Sequence, residues 1–122
     1  MPQKSRILVI DDDPDILDAI KLTLEDEGYE VNTSSKPITL NKYDLSNLPG
    51  LIILDVLLSG SDGREVSRNL KSNPLTKKIP LILISADTAA RKNFQGSMAD
   101  DFISKPFDIN DLLEKVKKYL KN

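Results

Sequence analysis

The sequence predicts an α/β protein: a doubly wound, five-stranded parallel sheet with helices on both faces. Three observations predict it. The apolar run LIIL at 51–54 ends in Asp55 and is followed by the turn-rich Ser59, Gly60, Ser61, Asp62 and Gly63. An apolar run of that length bounded by turn residues reads as a strand buried on both faces, as in a parallel sheet. Two more β-rich runs, RILVI at Arg6–Ile10 and IPLILIS at 79–85, end in polar residues in the same way. Helical segments fall between the strands, so five β-α units alternate, which argues for parallel pairing with right-handed crossovers.

Each element has its own signal. The strand Arg6–Ile10 exits into Asp11, Asp12 and Asp13. Asp13-Pro14 starts a helix, with Asp as N-cap and Pro at the first helical position. Ile16, Leu17, Ile20 and Leu24 form its apolar stripe and Gly28 stops it. Residues 29–33 read as the second strand. Residues 34–50 are turn-rich, and Pro37 opens a short helix carrying Ile38, Leu40, Tyr43 and Leu45. Leu51–Asp55 is the third strand. Asp62 or Ser61 caps a helix that runs to about Ser72, with Val66 and Leu70 inward and Pro74 ending it. Residues 79–85 make the fourth strand, with Pro80 tolerable near its start. Asp87 or Thr88 caps a short helix with Ala89, Ala90 and Phe94 on its apolar side, ended by Gly96. Asp101–Ser104 is a brief fifth strand before Lys105-Pro106. Asp108 caps the last helix, in which Ile109, Leu112, Leu113, Val116, Tyr119 and Leu120 give the clearest helical period of the chain. Its lysines (115, 117, 118 and 121) read as a solvated face.

Composition narrows the chemistry. The chain has 122 residues, enough for one domain over 1–122, with 39% hydrophobic and 30% charged residues. The net charge of −2 offers no basic surplus for nucleic acid or an anionic membrane. There is no Cys and no His. That excludes disulfides, thiolate or imidazole metal sites, and Cys or Ser-His nucleophiles. No apolar stretch spans a bilayer and no signal segment leads the chain, so the cytoplasm is the expected compartment.

In a doubly wound sheet the carboxyl ends of the strands converge on one crevice. The first strand delivers Asp11 and Asp12 there, the third Asp55, the fourth Ser85 and the fifth Lys105. Asp55 alone reads as a strand-end residue that caps a turn, and three acids could be three solvated caps. With Ser85 and Lys105 added, another reading gains weight. Crowded carboxylates raise one another's pKa unless a cation neutralises them. An oxygen-only ligand set selects a hard ion, Mg²⁺ first. Mg²⁺, one lysine and one hydroxyl are the parts that stabilise a transferring phosphoryl group, with Asp55 as nucleophile.

These residues resemble the receiver domain of two-component response regulators. The resemblance rests on ILVIDDDPDI at 7–16, LIILDVLLSGSDG at 51–63, LILISA at 81–86 and DDFISKPF at 100–107, and covers nearly the whole chain. It implies a flavodoxin-like sheet in the order 2-1-3-4-5. It implies that Asp55 accepts phosphate, that Asp12 binds Mg²⁺ directly and Asp11 mostly through water, and that the Leu57 carbonyl completes the metal's protein ligands. Ser85 and Lys105 would hold the phosphoryl oxygens, and Ser85 and Phe102 would form a switch. The Lys105-Pro106 bond is one that is often cis in the family. The implied partners are a histidine kinase or histidine phosphotransfer protein and a downstream protein, with no direct nucleic acid contact. The chain would be a monomer or a weak phosphorylation-dependent dimer, and a switch rather than a turnover enzyme.

The sequence departs from the family at four places. Ser59 stands where Pro is common, Met98 where Gly is frequent, and Pro49-Gly50 where Pro-Asp is common. The span from Ser85 to Lys105 is short, which curtails the fourth helix and puts the usual output face in doubt. Asp87 falls at a position that tunes dephosphorylation in the family. The alternative to a phosphoacceptor is a pseudo-receiver that only binds protein. A flavin site is disfavoured because DDDPD is acidic where a phosphate would sit. A haloacid-dehalogenase-like phosphatase would use Asp11 and Asp13, and leaves Pro14 and Asp55 unexplained.

Overall fold

In the computed structural model the described residues are 6–35, 48–58, 61–86 and 94–120. Five strands, β1 (Arg6–Ile10), β2 (Glu30–Ser34), β3 (Leu51–Asp55), β4 (Leu81–Ser85) and β5 (Asp101–Ser104), pair in the order β2-β1-β3-β4-β5. Every pairing is parallel. The chain steps from β1 outward to β2, then crosses back to β3. The reversal leaves a crevice outside the carboxyl ends of β1 and β3.

Why the strand runs are continuous is visible in the two cores. Alternate side chains of a strand point to opposite faces. Ile7, Val9, Leu51, Ile53, Ile82 and Ile84 pack under α1 (Pro14–Asp26) and α3 (Ile109–Tyr119), against Leu17, Ile20, Leu24, Leu112 and Val116. Leu8, Ile10, Ile52, Leu54, Leu81 and Leu83 pack on the other face with Leu70 of α2 (Gly63–Ser72). Both faces are covered, so neither can be polar. No helix among the described residues is long and apolar enough to cross a membrane.

The helix ends follow the capping signals. Asp13, Asp62 and Asp108 each accept a hydrogen bond from the backbone N–H two residues on. At the far end of α1, Gly28 has φ +94°. Its N–H donates to the Glu25 carbonyl and that of Tyr29 to the Leu24 carbonyl, a Schellman closure. This closure uses the Tyr29 N–H, so β2 begins at Glu30, one residue later than predicted. Likewise the Ile79 N–H donates to the Thr76 carbonyl and Pro80 has no N–H, so β4 begins at Leu81 rather than at 79.

Three further expectations are corrected. The segment after β3, read as turn, contains a two-stranded antiparallel hairpin pairing Leu57 with Asp62 and Leu58 with Ser61. Ile109, placed on the apolar stripe of the last helix, is 41% exposed. It is the first residue of α3 and is not among the side chains that pack in the core with Leu112 and Val116. Gly96 does not end a helix; it lies inside a 3₁₀ turn, Phe94–Ser97. The left-handed residue there is Met98, at φ +66°. The short helix after Pro37 and the helix carrying Ala89 and Ala90 lie outside the described residues, as do Ser59 and Asp87.

Met98 carries a conformational penalty that glycine would not. Its side chain is half exposed, so little packing is lost on removing it. Met98→Gly is expected to raise stability by about 1 kcal/mol, or about 4 °C in Tm, checked by thermal unfolding.

The lysines of the last helix are not only a solvated face. Lys115 Nζ lies 2.7 Å from Asp101 Oδ1 and Lys118 Nζ 3.8 Å from Oδ2. The Tyr119 hydroxyl donates to Asp101 Oδ2 at 3.1 Å. Burial would raise the Asp101 carboxyl, but the Lys115 bond, the Phe102 N–H and Tyr119 together hold it below its ordinary value. Burial and the Asp101 bond push the Tyr119 phenol up to about 12. The unfolded chain therefore releases that proton first, near its ordinary 10.0, and stability falls as pH rises from 10.0 to about 12. Tyr119→Phe should lack this alkaline loss. Paired melting temperatures of the two proteins, taken from about pH 9 upward, check it: they should diverge as expected for a single titrating group.

Candidate functional site

The sheet's backbone ladder continues one residue past the strands on the crevice side. The Asp11 N–H donates to the Ser34 carbonyl, Val56 N–H to the Ile84 carbonyl, and Lys105 N–H to the Ser85 carbonyl. The residues that follow β1, β3 and β5 are thus each held by the neighbouring strand. The sequence places Asp11, Asp55 and Lys105 at or just past the ends of these strands, and the pairing register brings them into one group.

Lys105 joins that group. Its Nζ lies 3.0 Å from Asp11 Oδ2 and 3.3 Å from Asp55 Oδ2. The side chains are 16%, 0% and 6% exposed, so the bridge is sheltered from solvent. The other oxygen of Asp11 accepts the Asp13 N–H at 2.9 Å. Asp11 is therefore aimed by the loop that opens α1, a role the sequence did not reveal for Asp13. Burial would lower the Lys105 ammonium, but the bond to Asp11 and the charge of Asp55 hold it above its ordinary range.

Asp12 completes the set. One carboxylate oxygen from each of Asp11, Asp12 and Asp55 lies within 4.8 Å of the others. Among the described residues the three carboxylates share the Lys105 ammonium, which by itself does not balance their charge. The donor set is all hard oxygen, and a hard divalent cation fits it on both charge and ligand type. Ser85 closes β4, is buried, and stands one residue past the Ile84 that pairs with Asp55. Leu57, two residues beyond Asp55, begins the hairpin. Phe102 is buried on β5 opposite Leu83 and packs in the α2-side core. The Lys105-Pro106 bond is cis. A groove beside β5 is lined by Phe102, Ser104, Phe107, Asp111 and Lys115, but by none of the three carboxylates.

An acidic cluster, buried at Asp11 and Asp55 and bridged there by a lysine, at the switch point of a 2-1-3-4-5 parallel sheet, defines a flavodoxin-like α/β protein with an acidic crevice. Comparison with known proteins narrows the class. Residues 7–117 match the response regulator receiver domain, and the chain belongs to that family. It is 36% identical over 118 residues to the DNA-binding dual master transcriptional regulator RpaA of Synechocystis, covering 95% of this chain and 49% of that protein. It is 38% identical over 115 residues to the response regulator PleD of Caulobacter vibrioides, covering 93% of this chain and 25% of that protein. The chain thus spans half or less of these relatives. Among solved structures, a putative response regulator from Chloroflexus aurantiacus superposes with a TM-score of 0.86 at 31% identity, covering 96% of this chain and 98% of that one. TrrA of Thermotoga maritima, in complex with Mg²⁺–BeF, does so at 0.81 and 35%, covering 93% and 97%.

Proposed function

We propose that this receiver domain is a phosphoacceptor switch, in which Asp55 takes a phosphoryl group from a histidine kinase or a histidine phosphotransfer protein. The observation that carries the reading is the Lys105 ammonium bonded at once to Asp11 and Asp55, with Asp12 alongside. A carboxylate held that way has a cation at hand for the charge that builds up during transfer. The Asp55 carboxylate oxygen forms a bond to phosphorus as the phosphorus–nitrogen bond of a phosphohistidine breaks, and the leaving imidazole keeps the electron pair. Lys105 and Ser85 hold the incoming phosphoryl oxygens.

Asp12, Asp55 and the Leu57 carbonyl would hold Mg²⁺, with Asp11 acting through water. The ion supplies positive charge against the phosphoryl oxygens. The response regulator TrrA, similar at 35% identity, is solved in complex with Mg²⁺–BeF, which supports this reading. The aspartyl phosphate carries about 1.5 to 2 negative charges where the free carboxylate carried one. Ser85 moving toward it leaves room for Phe102 to rotate, and the altered surface meets a downstream protein. The test is incubation with Mg²⁺ and acetyl phosphate, followed by intact-mass measurement. Gain of one phosphoryl group is expected. No gain, together with no response to beryllofluoride, would favour a domain that binds protein without being phosphorylated.

A further inference from the structure

We infer that Gly63 is a positioning residue for Asp55, holding the backbone that carries the phosphoacceptor. This rests on the phosphoacceptor reading above. Gly63 is the first residue of α2 and is buried. Its φ is not in the left-handed region, which Gly28 occupies, so conformational freedom does not explain a glycine there. Helix propensity would favour alanine by about 1 kcal/mol. Space decides otherwise. A Cβ on Gly63 would lie 2.1 Å from the Asp55 carbonyl oxygen, 2.7 Å from Val56 Cα and 2.9 Å from the Asp55 carbonyl carbon. All three are main-chain atoms, so no side chain can rotate out of the way.

The same contact is a clamp. The Gly63 N–H donates to the Val56 carbonyl at 2.7 Å, while the Val56 N–H donates to the Ile84 carbonyl at 3.0 Å. The residue after Asp55 is gripped by β4 on one side and by the start of α2 on the other. The hairpin pairing of Leu57 with Asp62 belongs to the same unit. The Asp55 carboxylate and the Leu57 carbonyl therefore take their places from the seat of one glycine. Any side chain at 63 must push that backbone away. The 2.1 Å contact has to open past 3.0 Å. A shift of roughly 1 Å in a reacting group can lower rates by about a hundredfold.

The test compares the wild type with Gly63→Ala and with Leu24→Ala, which opens a cavity in the core on the other face of the sheet. Thermal unfolding, Mg²⁺ affinity by calorimetric titration and phosphoryl uptake from acetyl phosphate are measured for each. Gly63→Ala is expected to bind Mg²⁺ at least about tenfold more weakly and to slow uptake by at least as much. Leu24→Ala should melt earlier yet bind Mg²⁺ within about twofold of wild type. A folded Gly63→Ala with unchanged Mg²⁺ affinity would overturn the inference, and so would an equal loss in Leu24→Ala. If Gly63→Ala shows no cooperative unfolding, Asp62→Ala and Asp62→Asn decide. Both remove the same charge, but only Asn keeps the cap on α2. Weaker Mg²⁺ binding by the Ala variant supports the clamp, and equal binding overturns it. If the wild type itself takes up neither Mg²⁺ nor phosphate, the phosphoacceptor reading fails first and the positioning role falls with it.

Discussion

Asp55→Asn is expected to abolish phosphoryl uptake altogether, with no mass gain under conditions that load the wild type. An amide oxygen is a far weaker nucleophile than a carboxylate. Asp55 is also one of the two carboxylates bonded to Lys105, and it closes the strand whose backbone is gripped on both sides. Asn is close in shape, so the fold should persist. The substitution removes one of three crowded negative charges. Without Mg²⁺ the variant should therefore melt no earlier than wild type, because relief of repulsion offsets the weakened bond to Lys105. With Mg²⁺ the wild type should gain more stability than the variant, since binding to the folded state adds stability that grows with affinity. Intact-mass measurement and paired melts with and without Mg²⁺ check both parts. Undiminished loading of Asp55→Asn would place the acceptor elsewhere.

Lys105→Met should produce two opposite effects. The ammonium is an internal counter-ion of Asp11 and Asp55. Its loss leaves sheltered carboxylates without that partner, and removing one member of such a group destabilises by about 3 kcal/mol. In the absence of Mg²⁺ the variant should melt well below wild type. The same loss removes a competitor for the metal. Mg²⁺ affinity should rise roughly tenfold, about 1.4 kcal/mol of binding, and Mg²⁺ should restore much of the lost stability. Phosphoryl uptake should nevertheless fall strongly, because the cation facing the transferring oxygens is gone. Calorimetric titration, melts and acetyl phosphate loading separate the three. A Lys105→Met protein with weakened Mg²⁺ binding would show that Lys105 aids the metal site rather than opposing it.

The legibility of this molecule divides along physical lines. The strands β1, β3 and β4 could be read because both faces of each are covered, which forces uninterrupted apolar runs such as LIIL and LILI. The caps at Asp13, Asp62 and Asp108 and the stop at Gly28 could be read because their signals are local. Strand starts were less legible. Tyr29 and Ile79 have strand-like side chains, but their N–H groups are already engaged by the turn before them. The left-handed residue at 98 was hidden because a methionine occupies it. Lys115 and Lys118 look like solvent-facing lysines until the fold brings Asp101 beneath them.

The candidate site shows the same division. By itself the sequence determined a doubly wound parallel sheet with carboxylates, a serine and a lysine at its strand exits, because apolar continuity and turn chemistry are properties of neighbouring residues. Only the tertiary structure decided that Lys105 Nζ bridges Asp11 and Asp55, partners 94 and 50 residues away along the chain. It alone decided that Asp13 aims Asp11 and that Gly63 presses on the backbone of Asp55. Contacts of this kind are set by strand register and by the room left between main chains, and neither is written in the pattern of any one segment.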